Sequence, residues 1–350
     1  MMISRKLYEN PPEKLLPDCL KPANERDKLS PADRVFGFVK QKGQGAYRGQ
    51  IRVGAIDCIS DKAGAIEDFA QSVPLQILGQ PKPQQGRFYV AEDDSGKAQT
   101  QKRNNEEAGY KACRGLRGRK VYPHHKLPDE INESYWQNPM SAELKTSLDN
   151  YFREFRRPQK DGQEQRDNQN RSIKGWVKPK TEFIFDIHFI NLSEVEVGAL
   201  ILLLNLEDGF HRFGGGKPLG FGSVKLVLDG SEIFKGSELK KHYFALDEED
   251  LADKPKPTET KTCLEAFETA INKYPDGNGQ RILQSFLASA RGFDKPIHYP
   301  RTTKEPYLVE YGKEVSASFN WFVANNRASG HKLALPDIYD DNGFPLKPED

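Results

Sequence analysis

The chain has few cysteines and no pairing pattern among them. Cys19, Cys58, Cys113 and Cys263 lie far apart with no CxxC pair. Such spacing supports neither a zinc ribbon nor a disulfide framework. Four reduced thiols in a cytoplasmic protein are the expectation, because reducing compartments rarely hold disulfides. Long apolar runs are missing as well. The longest, Val197 to Leu204, falls well short of the roughly 20 residues that a membrane-spanning helix needs, so no membrane partner is expected. Met1 to Lys6 leads into Pro11-Pro12 with no apolar signal core. There is no excess of charge of one sign either: 52 basic against 51 acidic residues give a formal +1. That balance excludes a globally basic nucleic-acid binder and an acidic disordered chain, so any electrostatic function must come from how charge is distributed. Hydrophobic residues make up 36%, low for a compact globule. Either much of the chain is loop or its core is completed by something else. The 350 residues suit one large or two ordinary domains.

What is present is organised in segments. Residues 1–30, Pro-rich and charged, read as an N-terminal extension. Gly49 to Cys58 alternates, with Ile51, Val53 and Ala55 on one face, which predicts a strand. Shorter strands are predicted at Val73 to Leu78 and Arg87 to Val90. Residues 101–126 hold eight basic against two acidic side chains, and 153–180 hold nine against four. Pro158 to Arg171 reads as a mobile loop. Thr181 to Ile190 predicts the clearest strand, with Phe183, Phe185, Ile187 and Phe189 on one face. Ser193 then suits an N-cap, with Glu194 and Glu196 in the first turn of a helix to Leu204. That helix is almost wholly apolar and should pack against a sheet. Ser223 to Leu228 alternates as a further strand. Amphipathic helices are predicted at Thr262 to Tyr274 and Gln280 to Arg291, and Leu333 to Asp350 as an extended end. The division expected is a core over 31–230, basic insertions over about 91–180, and a helical and extended region over 231–350.

The segment His211-Arg212-Phe213-Gly214-Gly215-Gly216-Lys217-Pro218-Leu219-Gly220-Phe221-Gly222 carries the chemistry. Five glycines within nine residues permit unusual backbone angles and close approach. Consecutive amides can form an anion-binding nest, and Lys217, Arg212 and His211 add positive or polar groups suited to phosphodiester oxygens. A Walker loop is excluded, since that motif places Ser or Thr after the lysine and a helix beyond it; here Pro218 and a strand follow. A plain glycine-rich turn joining helix to strand is the alternative. Strand, helix, glycine loop and strand in this order form the second half of a split β-α-β unit.

The stretch Gly214 to Val224 resembles the signature glycine-rich loop of the RAMP superfamily, the backbone subunits of CRISPR ribonucleoprotein effectors. Leu29 to Gly37 with Tyr47-Arg48-Gly49, and Arg117 to His125, resemble further blocks of a large, insertion-bearing subfamily tied to type III systems. The blocks are scattered between about 29 and 229. The resemblance implies an α+β fold with a ferredoxin-like, RRM-type core and large loop insertions. It implies a subunit that grips guide RNA (crRNA) in antiviral interference, meets target RNA through the guide, and assembles with other CRISPR effector subunits. Some relatives cut the paired target with an aspartate near the first strand. Only about 30 residues precede the Phe36-Gly37 segment here, and the family's early Gly-x-Ser block is missing. The core is therefore expected to be incomplete at its N-terminus, with the first strand supplied by another chain or the fold truncated. No catalytic residue is carried over to Asp18, Asp27, Asp33 or Asp57.

The RNA-binding set expected is His211, Arg212, Gly214, Gly215, Gly216, Lys217, Gly220, Phe221 and Gly222. Arg114, Arg117, Arg119 and Lys120 join it, with Tyr122 stacking on a base. Lys42 and Arg48 belong to a second loop, where a simple turn is equally compatible. His124-His125 with Cys113 fits no ordinary zinc pattern, so no metal or other cofactor is expected. Asp186 and His188 share a strand face and read as ordinary polar residues. The leading function is guide-RNA binding without catalysis by this chain. Cleavage of target RNA by an early aspartate and a structural end-capping adaptor are the alternatives.

Overall fold

The structure is a computed structural model and describes residues 8–40, 45–61, 63–75, 78–79, 81–125, 171–244, 254–274, 277–294, 297, 299–302, 309–310, 313–314 and 317–338. Lys42, Lys126, most of the loop expected at Pro158 to Arg171 and the last twelve residues lie outside that set.

The fold is mixed α+β. In chain order it runs α1 (Pro31–Phe36), β1 (Gly37–Val39), β2 (Ala46–Arg48), β3 (Ile51–Val53), β4 (Asp57–Cys58), β5 (Ile66–Pro74), β6 (Ser172–Val177), β7 (Phe183–Ile184) and β8 (Ile187–Phe189). It continues with α2 (Glu194–Leu204), β9 (His211–Arg212), β10 (Ser223–Val224), α3 (Gly236–Phe244), α4 (Thr260–Asn272), α5 (Asn278–Arg291), β11 (Val309–Glu310), β12 (Lys313–Glu314) and α6 (Ala317–Asn326). Among the described residues the strands pair only in twos, all antiparallel: β1–β2, β3–β8, β4–β7, β5–β6, β9–β10 and β11–β12.

The strand expected over Thr181 to Ile190 is broken into β7 and β8, and its partner is the strand expected over Gly49 to Cys58. Arg52 pairs with His188, but Asp57 pairs with Ile184, so residues 54–56 face only 185–186. One extra residue on one strand is a β-bulge. Gly54 sits at it and donates its N–H to the Asp186 carbonyl at 2.8 Å. Below the bulge the alternation holds: Phe185, Ile187 and Phe189 are half-buried, while Asp186, His188 and Ile190 are exposed.

Helix α2 starts and ends where its sequence places it. Ser193 Oγ accepts from the Glu196 N–H, and the Glu196 carboxylate accepts from the Ser193 N–H at 2.7 Å, a reciprocal capping box. Arg34 in α1 donates to that carboxylate and to the Asn191 carbonyl, tying α1 to the start of α2. Burial pushes the Glu196 carboxyl up, but the bonds from Arg34 and Ser193 outweigh it and the net shift is downward.

The packing of α2 differs from expectation. Phe189 of β8 touches it, yet its main neighbour is helix α4. Val197 and Ile201 form a core with Cys263 and Ile233, completed by Leu192, Leu228 and Leu264. The two helices meet at Gly198: a Cβ there would lie 2.0 Å from the Cys263 carbonyl oxygen. Residues beyond 230 thus complete the core expected within 31–230.

The basic segment 101–125 is a packed coil rather than an open insertion. Val90, Ala91 and Ala108 are buried, and the Gln99 amide donates to the carbonyls of Val90 (2.9 Å) and Ala108 (3.0 Å). Against Lys82, Gln85 and Phe88 sits α6, a helix that the periodicity does not predict. Its Trp321 is fully buried, and Asn325 exchanges two hydrogen bonds with the Leu333 backbone. No helix among the described residues is long and apolar enough to cross a membrane.

Gly198→Ala should lower the unfolding free energy in urea by about 1–3 kcal/mol, the usual range for overpacking. Gly236→Ala, where a Cβ would meet nothing within 4 Å, should change it by less than about 1 kcal/mol. Equal effects of the two would show that α2 and α4 do not depend on the close approach.

Candidate nucleic-acid interface

The glycine loop joins two short strands. In the β9–β10 ladder Arg212 faces Ser223 and His211 faces Val224. The ladder closes with the Phe213 N–H donating to the Gly222 carbonyl at 2.8 Å. Gly222 has φ +73°, and a Cβ on it would stand 1.8 Å from the Phe213 carbonyl oxygen, so the closure admits only glycine. Gly216 and Gly220, both left-handed, bracket a single 3₁₀ turn at Lys217–Leu219.

The loop has a packed underside and an open top. Leu219 and Phe221 pack against the β5–β6 ribbon beside Val73, Leu75 and Trp176, with the Trp176 and Phe221 rings 6.1 Å apart. At Gly214 and Gly215 a Cβ would meet nothing within 4 Å. Next to them the Phe213 side chain is 69% exposed. Lys217 is half-buried, and its ammonium has no ion-pair or hydrogen-bond partner among the described residues.

Arg212 does the opposite of what its neighbourhood in sequence implies. Its guanidinium donates to the carbonyls of Tyr122 (3.0 Å), Pro123 (2.7 Å) and Phe221 (3.1 Å), and to Ser223 Oγ (3.2 Å). Burial pulls its pKa below the ordinary arginine value. Arg212, expected to reach phosphates, is here engaged internally: it clamps the strap 122–125 onto the base of the loop. His211 is likewise held, its Nε2–H donating to the Leu203 carbonyl at the end of α2 at 2.7 Å.

The strap carries two imidazoles, His124 buried and His125 half-buried. His124 Nδ1 lies 2.8 Å from Ser223 Oγ, and its ring centre lies 5.7 Å from that of Phe210. Burial, and then the Arg212 charge, push the His124 pKa down to about 4, against the pull of the Phe210 backbone, with smaller contributions from His125 and His211. His125 is pushed down by burial too. The far side of the strap meets the end of α5, where the Phe293 N–H donates to the His124 carbonyl.

The remaining basic residues divide. Arg114 donates to the Glu92 carboxylate and carbonyl, and Arg117 to the Pro336 carbonyl while facing Asp337 at 3.7 Å. Their side chains are only 11% and 13% exposed. Expected to face phosphates, they are instead engaged with Glu92, Pro336 and Asp337. Arg119 and Lys120 are exposed, with Lys120 Nζ 5.1 Å from the Tyr122 ring centre. Arg48 is exposed on β2, and Lys42 lies outside the described residues. No group of three or more His, Cys, Asp or Glu is placed to share a metal among the described residues.

Sequence reasoning missed Phe213. The signal was available in its position: Phe213 follows β9 and continues its ladder through the bond to Gly222, so alternation sends it away from an inward Arg212. No protein-family model matches this chain, and no curated protein matches it either. The geometry itself separates structural from available cations. Arg212→Met should cost about 2–4 kcal/mol in denaturant unfolding, because it leaves buried carbonyls unpaired. Lys217→Met should stay within about 0.5 kcal/mol. A neutral Arg212→Met would remove the clamp from the argument.

Proposed function

We propose that this chain is a guide-RNA-binding backbone subunit of a type III CRISPR ribonucleoprotein effector. The sequence blocks that resemble the RAMP superfamily motivate the reading, and one observation carries it. The glycine loop combines open backbone at Gly214 and Gly215, an unpartnered Lys217 and an exposed Phe213 on a base fixed from below. Backbone amides and a lysine suit phosphate oxygens, and an outward aromatic suits an unstacked base.

In this reading β8, α2, β9 and β10 are the second half of a ferredoxin-like, RRM-type core. Arg119 and Lys120 extend the positive surface beyond the loop. Recognition is largely independent of sequence, because phosphates position while bases specify. Arg212 acts from below by holding the loop, and its uncompensated charge adds to the field.

The test begins with what co-purifies. A uniform set of short guide RNAs, together with other effector subunits, is the expected outcome; an RNA-free monomer would overturn the proposal. Binding of short single-stranded RNA across salt concentrations then examines the loop. Lys217→Ala should weaken binding similarly for all sequences and flatten the log–log salt slope by about 0.7, the value for one phosphate contact on a single strand. Phe213→Ala should weaken it by about 1–3 kcal/mol, with Phe213→Trp restoring it. Unchanged slope and affinity in both alanine variants would place RNA elsewhere.

A further inference from the structure

Beside the glycine loop lies a second arrangement that RNA binding does not use. Ser223 is exposed on β10, and its Oγ stands 2.8 Å from His124 Nδ1 and 3.2 Å from Arg212 Nη1. Ser223 Oγ accepts from Arg212 Nη1–H and, in the Nε2–H tautomer of the neutral ring, its hydroxyl donates to His124 Nδ1. His124 is 6% exposed and packed between the loop and Gly292, where a Cβ would stand 2.1 Å from the His124 carbonyl oxygen. A hydroxyl aimed at the free nitrogen of an imidazole held in place by packing is the arrangement that nucleophilic catalysis needs.

We propose that Ser223 is a nucleophilic serine, with His124 as its general base, that acts on carboxylic esters. Oγ adds to the ester carbonyl carbon as its proton passes to His124 Nδ1. The Arg212 Nη1–H edge is the cation nearest the developing oxyanion. When the tetrahedral adduct collapses, the bond from carbon to the alcohol oxygen breaks and His124 returns the proton to the leaving alkoxide. Water then adds to the acyl-serine, His124 takes its proton, and Oγ leaves with that proton. The sum is ester plus water giving acid plus alcohol.

The charges facing His124 are Arg212, His125 and His211, all positive or neutral. With burial they hold His124 down to about 4, so the ring is neutral and able to accept at any pH well above that. A base this weak supplies little driving force. A neutral carbonyl suits it better than an anionic phosphodiester, which would repel the attacking electron pair.

The competing account makes the Ser223–His124 bond only a tie between β10 and the strap. A fluorophosphonate probe on the full chain separates the two, since labelling forms an Oγ–P bond and expels fluoride. Peptide mass spectrometry should place the label on Ser223, with none on Ser223→Ala. His124→Gln should slow labelling by at least about 100-fold. In the native chain the rate should be flat from about pH 6 to 8 and fall to half near pH 4, a readout that needs no variant to fold. Hydrolysis of p-nitrophenyl acetate should follow the same profile and vanish in Ser223→Ala. Absence of label at Ser223 would overturn the proposal, as would a rate indifferent to His124→Gln or one that climbs steadily between pH 6 and 8. Because these readouts involve no RNA, their failure leaves the proposed RNA role unaffected.

Discussion

The half-buried guanidinium of Arg212 is the interaction on which the rest of the site depends. It donates to three carbonyls and one hydroxyl, from Tyr122, Pro123, Phe221 and Ser223. Two of these lie on the strap and two on the far limb of the glycine loop. The guanidinium joins strap and loop at four points, whereas the His124–Ser223 bond joins them at one. A charge drawn partly out of water is often paired with a carboxylate, because losing hydration is costly. Among the described residues the partners of Arg212 are carbonyl and hydroxyl dipoles instead. They satisfy its donors without cancelling its charge, so a positive potential persists beneath the loop. That charge adds to burial, the larger cause, in depressing the basicity of His124, and it makes the loop floor hospitable to anions.

The same clamp explains why the loop is rigid below and open above. Leu219 and Phe221 are drawn onto the β5–β6 ribbon, Gly222 closes against Phe213, and the glycines between absorb the curvature with positive φ at 214, 216, 220 and 222. Side chains on the upper side would gain no packing, which is why glycine suffices there. Phe213 is the exception, and its exposure has no structural benefit of its own. An exposed aromatic on a fixed base costs little conformational entropy when a flat ligand covers it, because the platform is already ordered.

What was legible in the sequence was what is decided locally. The start of α2 follows from Ser193 and Glu196, three residues apart, and its span from the apolar run that ends at Leu204. The faces of β8 follow from alternation. The bulge at residues 54–56 depends on a partner strand more than a hundred residues away, and no local pattern announces it. The packing of α2 on α4 was hidden for a related reason. Gly198 reads as a weak point in a helix until Cys263 is brought against it. Helix α6 owes its place to Leu333, Phe88 and Gln85, all outside its own sequence. In the candidate site, the glycine loop and Lys217 were legible from composition, whereas the Ser223–His124 contact joins residues 99 apart.

Charge shows most clearly how residue type refines a count. In the segment 101–125, arginines and lysines look interchangeable as positive charges, yet the fold treats them differently. Arg103 and Arg114 share Glu92; Arg117 and Arg281 meet at Asp337; Arg87 bonds Asn105; Arg34 binds Glu196. By contrast Lys102, Lys120, Lys174 and Lys178 are exposed. The reason lies in the groups. A guanidinium offers five donors in a planar fork and is weakly hydrated, so it can bridge several internal acceptors, whereas an ammonium is a compact, strongly hydrated point charge. Arg119 and Arg171 are exposed and qualify the rule. A sum over all cations therefore overstates the charge offered to a partner. Weighting the lysines and the exposed arginines instead leaves a smaller positive surface around Lys217, Arg119 and Lys120, the part of the chain on which an anionic ligand would have to be held.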